Sequence, residues 1–185
     1  MISRLHGRRG WLGLGAVALA VLLAGIGVAA LGGRLAPASA AGPVPAFVDE
    51  TAASGLGFTY DGPFAYAVGG GLAVFDCDDD GMPDIFLAGG AGPAALFRNV
   101  GALGGELRFE RSASSGTELA AVNGAYPLDI DGDGITDLVT LRNGENVAFR
   151  GLGGCRFERA NEAWGLDGGA ELTEAFSATW EAGQT

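Results

Sequence analysis

The sequence contains no lysine, and its single histidine, His6, lies near the N-terminus. Beyond Ala40 no imidazole is available, which excludes a Ser-His or Cys-His catalytic pair and histidine metal ligands from residues 41–185. In the same region seven arginines face 22 acidic residues, which gives a net charge of −15. A nucleic-acid-binding protein needs an excess of positive charge, so the composition excludes nucleic acid as a partner.

The first 40 residues have the pattern of a membrane-targeting segment. Basic residues up to Arg9 precede an uncharged apolar run over residues 10–33, and Ala38-Ser39-Ala40 fits a signal-peptide cleavage site. Arg8-Arg9 also resembles a twin-arginine export signal. Residues 1–40 are therefore predicted to form a hydrophobic leader helix. It is either a cleaved signal peptide or an uncleaved membrane anchor, and the latter would be the chain's contact with a membrane. Both alternatives predict a protein that is secreted, periplasmic or on the cell surface.

The rest of the chain contains an internal repeat. Residues 41–185 are rich in glycine and in short apolar runs, with no long stretch of helical period, which indicates short strands and tight turns. The ten residues from Asp76 align without a gap on the ten from Asp129, 53 positions later, and five of the ten are identical. The similarity continues downstream, since Leu96–Asn99 corresponds to Ala148–Gly151. Each unit is predicted to contain about four strands.

A repeat of roughly 50 residues with four short strands is typical of a propeller blade. We therefore predict an all-β fold, a partial β-propeller of four-stranded antiparallel blades with about two to three blades in residues 41–185. Because a propeller needs at least about four blades, this region is expected to be the N-terminal part of a longer propeller. Phenylalanines at equivalent strand positions are predicted to fill the core between blades: Phe75, Phe86, Phe97, Phe109, Phe149 and Phe157.

The aligned segments carry aspartate at positions 1, 3, 5 and 9 and glycine at position 6. Carboxylates about 5 Å apart repel by roughly 3 kcal/mol per pair, so the pattern predicts a bound cation. Oxygen ligands without nitrogen or sulfur donors favour Ca²⁺ over Mg²⁺ or Mn²⁺. The predicted ligands of two Ca²⁺ sites are the aspartate side chains and the main-chain carbonyl of position 7: Asp76, Asp78, Asp80, Met82 and Asp84 in the first loop, and Asp129, Asp131, Asp133, Ile135 and Asp137 in the second.

An EF-hand would need a bidentate glutamate at position 12, where this sequence has Leu87 and Thr140. The strand, Asp-x-Asp-x-Asp-Gly-x-x-Asp loop, strand arrangement instead resembles the FG-GAP or VCBS repeat of integrin-alpha-type β-propellers. Gly69–Asp76 and Leu96–Asn99 are similar to the bacterial relatives of cartilage acidic protein. The resemblance covers roughly Phe47 to Trp180. It implies a propeller usually of about seven blades, Ca²⁺ in the loops between adjacent strands of a blade, and a secreted or surface role in adhesion or binding.

Cysteine is scarce as well, with Cys77 in one repeat unit and Cys155 in the other. An even number of cysteines in an exported chain indicates a disulfide, so Cys77 and Cys155 are the candidates for a bond between neighbouring blades. The alternative is two small buried residues without a bond, because the sequence does not show whether their Cα atoms come within about 7 Å.

These features together predict a non-enzymatic, exported protein in which Ca²⁺ is structural and the propeller surface binds an extracellular protein or glycan. The alternative is the propeller portion of a secreted hydrolase whose catalytic residues lie elsewhere. That alternative would need a carboxylic acid of raised pKa away from the acidic loops. The arginines are predicted to pair with nearby acids: Arg98, Arg108, Arg142, Arg150, Arg156 and Arg159.

Overall fold

The computed structural model describes residues 44–179, so the predicted leader of residues 1–40 lies outside the described residues. A short helix, α1 (Thr51–Ser54), and a 3₁₀ turn (Phe64–Tyr66) precede the strands. Neither has the length and apolar character that crossing a membrane requires. The strands of the described region are β1 (Leu72–Phe75), β2 (Asp84–Leu87), β3 (Ala95–Asn99), β4 (Phe109–Arg111), β5 (Val122–Leu128), β6 (Asp137–Arg142), β7 (Val147–Gly151) and β8 (Phe157–Arg159).

The strands form two four-stranded sheets. The first sheet has the order β1-β2-β3-β4 and the second β5-β6-β7-β8, and every neighbouring pair is antiparallel. Strands adjacent in the sequence are therefore adjacent in the sheet, as short hairpin connections require. The repeat in the sequence is a repeat in the structure. The prediction of an all-β fold built from four-stranded antiparallel units is confirmed.

One cluster of buried side chains joins the two sheets. In β1, Ala73 and Phe75 are buried while Leu72 and Val74 are exposed, which is the alternation expected of a strand with one covered face. Phe75 meets Phe157 of the second sheet edge to face, with ring centroids 6.2 Å apart. Burial of each such side chain contributes about 1.5–3 kcal/mol. The largest fully buried members are Phe86, Leu96, Val122, Leu138 and Val147.

All six repeated phenylalanines are buried, but they do not share one cluster. Phe97 and Phe109 belong to a second, smaller cluster, together with Leu56 and Phe58 from the segment before β1. The prediction of burial is therefore confirmed for the whole set, whereas the prediction of a common core is confirmed for four of the six.

Equivalent glycine turns precede the two sheets. Gly55 and Gly116 have φ of 85° and 88°. A Cβ atom at Gly55 would lie 2.7 Å from the carbonyl oxygen of Phe109, and one at Gly116 would lie 2.3 Å from that of Phe157. Both the left-handed backbone and the close approach to an edge strand require glycine. The two glycine turns thus make the same kind of contact with the last strand of a sheet, β4 in one case and β8 in the other.

The second sheet presents an apolar surface equivalent to the covered surface of the first. Leu128 and Val139 stand 53 positions after Phe75 and Phe86. They line an apolar cavity of about 320 Å³, which residues 166–176 border on the other side. Phe176 of this segment lies with its ring centroid 5.1 Å from that of Tyr126.

Candidate metal sites

Hairpin geometry brings the ends of each acidic loop together. The first loop joins β1 to β2, and the second joins β5 to β6. The last residue of β1, Phe75, pairs with Asp84, and Leu128 of β5 pairs in the same way with Asp137. Position 1 of the loop follows the first strand and position 9 begins the second. Antiparallel pairing therefore places these two positions side by side.

The aspartate at position 9 is buried in both loops, and its carboxylate accepts hydrogen bonds from backbone N–H groups. Asp84 is 1 % exposed, and its two carboxylate oxygens accept hydrogen bonds of 2.8 Å from the backbone N–H groups of Cys77 and Asn99. Asp137 is 0 % exposed and accepts equivalent bonds of 2.7 and 2.8 Å from Ile130 and Gly151. Each of these acids thus ties its loop to the third strand of its sheet.

Burial raises the pKa of Asp84 above its ordinary value, the hydrogen bonds from Cys77 and Asn99 oppose that rise, and the charges of Asp78 and Asp76 add to it. The pKa of Asp137 is raised for the same reasons, with burial again the largest cause. A divalent cation beside these carboxylates would favour their charged form. The electrostatics of both loops therefore match a cation.

The aspartate at position 1 shapes the turn. Asp76 accepts hydrogen bonds from the backbone N–H groups of Asp80 (3.2 Å) and Gly81 (2.8 Å). Asp129 accepts hydrogen bonds from the N–H groups of Gly132 (2.8 Å), at position 4, and Gly134 (3.0 Å), at position 6. At position 6, Gly81 and Gly134 have φ of 83° and 84°, a conformation that glycine adopts without strain.

The aspartate at position 3 pairs with an arginine from the third strand of its sheet. Nε of Arg98 donates to Oδ2 of Asp78 at 2.9 Å, and Nε of Arg150 donates to Oδ2 of Asp131 at 2.9 Å. The Asp78 side chain is only 10 % exposed, and its second oxygen, Oδ1, is buried without a hydrogen-bond partner. A buried carboxylate oxygen without a partner is costly, so this atom is suited to a cation ligand.

Three carboxylates converge in each loop. Ligand oxygens of Asp76, Asp78 and Asp84 all lie within 4.8 Å of one another. The equivalent group in the second loop contains Asp129, Asp131 and Asp137. These acidic groups could hold a metal ion. The structure thus brings together positions 1, 3 and 9 of the predicted ligand sets.

Position 5 of the predicted sets, Asp80 and Asp133, is not part of these two groups. Oδ1 of Asp80 accepts a hydrogen bond of 2.8 Å from the backbone N–H of Met82. Oδ1 of Asp133 accepts the equivalent bond of 2.8 Å from Ile135. In both loops, position 5 therefore closes a local turn around position 7.

The sequence predicts the arginines as partners of nearby acids, but it does not predict which acids. Two of them pair with the position 3 aspartates of the loops. Besides the two pairs at position 3, Arg159 pairs with Glu145. Arg142 departs from the prediction, because it donates to the main-chain carbonyls of Ala120 and Glu145 instead of to a carboxylate. The repeated Phe-Arg of β3 and β7 could have indicated the pairs at position 3. An arginine on the strand next to the one that begins at the end of the loop is close enough to reach a loop aspartate.

The two cysteines are joined at the first loop. Cys77, at loop position 2, forms a disulfide with Cys155, which lies between β7 and β8 of the second sheet. Their Cα atoms are 4.7 Å apart, and the two residues are 6 % and 1 % exposed. Their sulfur atoms lie 2.9 and 3.6 Å from Oδ2 of Asp84.

Comparison with known protein families gives a match that spans both acidic loops. Residues 76–140 match the FG-GAP-like repeat. The matched segment begins with the first aspartate of the first loop and ends within β6, three residues after the last aspartate of the second loop. No curated protein matches the chain.

Proposed function

Because this chain is an FG-GAP repeat protein, we propose that it is an exported, calcium-binding β-propeller module that binds a protein or glycan outside the cytoplasm. Calcium is structural in this proposal. It neutralises the converging carboxylates of each loop and so holds the first two strands of each blade in register. The observation that carries the proposal is the convergence of three carboxylates at equivalent positions of two successive repeats.

The donor set favours calcium over other cations. Each group offers three carboxylates, and in the second loop no sulfur ligand is nearby. Hard oxygen ligands suit Ca²⁺ or Mg²⁺, and irregular carboxylate groups that supply several ligands suit the larger ion, which tolerates flexible geometry. In the first loop the residues that would hold the ion are Asp76, Asp78 and Asp84. The buried, unpartnered Oδ1 of Asp78 supports this assignment.

The equivalent surfaces of the two sheets support the proposal that the chain is part of a propeller. The surface of the first sheet that carries Phe75 and Phe86 is covered by the second sheet. The corresponding surface of the second sheet, with Leu128 and Val139, borders the apolar cavity. A further blade on that surface would repeat the contact between the first two blades, as stacked repeats do.

The positions of the carboxyl groups with a raised pKa favour a binding role over a hydrolytic one. Among residues 44–179, the carboxyl groups with a raised pKa are Asp84 and Asp137. Both lie within the acidic loops, and all four of their oxygens accept backbone hydrogen bonds. A general acid needs a proton that can reach a substrate. These acids therefore support the loops, and neither is the carboxylic acid of raised pKa away from the loops that the hydrolase alternative needs.

The test is thermal unfolding of the full chain with Ca²⁺ and with EDTA. At a Ca²⁺ concentration 100 times Kd, each site would add about 2.7 kcal/mol to the free energy of unfolding. Asp78→Asn combined with Asp131→Asn should remove most of this gain, because each substitution takes a carboxylate from one group. Glu106→Gln combined with Glu162→Gln is the matched control, since it removes two exposed acids that lie outside both acidic loops. Equal melting temperatures of the unaltered protein in Ca²⁺ and EDTA would refute the proposal.

A further inference from the structure

Cys77 is connected to all three grouped carboxylates of the first loop. It lies in the sequence between Asp76 and Asp78. Its backbone N–H donates to Oδ2 of Asp84, at 2.8 Å. Any restraint on Cys77 therefore acts on the positions of the three side chains whose oxygens converge.

Cys155 restrains Cys77 from the neighbouring sheet in two ways. The disulfide joins residues 78 positions apart in the sequence. In addition, the backbone N–H of Cys155 donates to the carbonyl oxygen of Cys77, at 3.0 Å. The turn that holds Cys155 is itself ordered by a hydrogen bond of 2.9 Å from Leu152 N–H to the carbonyl oxygen of Arg156. The first loop is thus attached to a turn of the second sheet.

The second loop has the same carboxylate geometry without this attachment. Ile130 occupies the position of Cys77, and its N–H donates to Asp137 at 2.7 Å. The Ile130 side chain lines the apolar cavity instead of bonding to another sheet. The two loops therefore differ in their link to a neighbour, while the three converging aspartates are shared.

We propose that the Cys77–Cys155 disulfide positions the first acidic loop for cation binding, so that the cation affinity of this loop, and not that of the second, depends on the bond. The inference rests on the proposed calcium-binding function. Holding Cys77 against the second sheet reduces the number of backbone conformations of the loop before the cation arrives. Without the bond, binding must restrict those conformations itself, and affinity falls accordingly.

Calcium titrations of the full chain can separate the two loops. Asp131→Asn disables the second loop and reports on the first, while Asp78→Asn disables the first and reports on the second. Each background is prepared with the cysteines intact and with Cys77→Ala plus Cys155→Ala, and the Kd for Ca²⁺ is measured by isothermal titration calorimetry. Loss of the bond should raise the Kd of the first loop by about tenfold and that of the second by less than about twofold.

The second loop reports whether the cysteine variant retains its fold. An equal loss of affinity in both loops, or loss of binding with loss of the β-sheet circular dichroism signal, would show that the bond supports the whole fold and would overturn the inference. An unchanged Kd in the first loop would overturn it as well. Absence of Ca²⁺ binding with the cysteines intact would refute the proposed function itself, and this inference with it. Protein reduced under mild denaturation and refolded in reductant gives the same comparison without a substitution, because both cysteines are too buried for direct reduction.

Discussion

Asp84 should stabilise the first sheet even when no cation is bound. Asp84→Ala leaves the N–H groups of Cys77 and Asn99 buried without an acceptor, and each such group costs about 1–3 kcal/mol. Removing a buried charge that repels Asp76 and Asp78 offsets part of this cost. The expected net loss is about 2–4 kcal/mol, or a fall in Tm of roughly 6–12 °C for a chain of this size.

Asp78→Ala is the matched control, with the same loop, the same residue type and the same change of charge. Asp78 has one unpartnered oxygen and one that pairs with the partly exposed Arg98, an ion pair worth about 0–1 kcal/mol. Relief of the repulsion from Asp76 offsets that loss. In EDTA this variant should therefore unfold within about 1 kcal/mol of the unaltered protein.

The assay is urea or thermal unfolding in EDTA at neutral pH, followed by circular dichroism. The reasoning requires a clear order of stability, with Asp84→Ala well below Asp78→Ala. Equal stabilities of the two variants in EDTA would mean that position 9 does no more than bind a cation, and would refute the structural role assigned to Asp84. Asp137→Ala, which frees the N–H groups of Ile130 and Gly151, should behave like Asp84→Ala.

Two further predictions concern the connection between the sheets and the core. Burial raises the pKa of Glu118, but hydrogen bonds from Ser115 and Gly116 outweigh the burial and leave this pKa below its ordinary value. The stabilising contribution of Glu118 is therefore present above pH 4.5 and is lost as the pH falls through the lowered pKa. Glu118→Gln should lower the free energy of unfolding by about 1 kcal/mol at pH 7, and the free energies of unfolding of the two proteins, measured by chemical unfolding, should become equal in acid. Phe86→Ala should cost about 3–5 kcal/mol because Phe86 is 0 % exposed between the sheets, whereas Phe64→Ala, at a residue 93 % exposed, should leave the unfolding midpoint unchanged.

Much of the fold could be predicted because the repeat is visible in the sequence. The 53-residue spacing and the short apolar runs give two equivalent antiparallel units, and both are present. The covering of Phe97 and Phe109 by Leu56 and Phe58 could not be predicted, because it depends on the path of a segment that precedes the repeat. The helix α1 could not be predicted either, because four residues are too few to show a helical period in the sequence. Its start is marked only by Asp49, which accepts a hydrogen bond from Thr51 N–H at 2.9 Å.

The candidate sites could be predicted in part for a similar reason. Aspartates at positions 1 and 9 converge because they flank a hairpin, a relation that the spacing already contains. The role of position 5 cannot be predicted from the spacing, because backbone N–H groups of the turn compete with a cation for its carboxylate. Asp80 and Asp133 bond the backbone two residues ahead, as aspartate commonly does in turns. The resemblance to calcium loops predicts these residues as ligands; their Oδ1 atoms close the turn, and neither residue is part of the converging groups.

The differences between the two loops suggest why the first is attached to its neighbour. Position 4 has a left-handed backbone in both, with φ of 60° at Asp79 and 74° at Gly132. Glycine adopts this conformation freely, whereas an aspartate is strained there and adds a fifth negative charge to the first loop. Both effects favour opening of the first loop when no cation is bound. The bond from Cys77 to the second sheet opposes that opening. The less favourable loop sequence and the disulfide therefore occur together, and the second loop, with glycine at position 4, has isoleucine in place of cysteine.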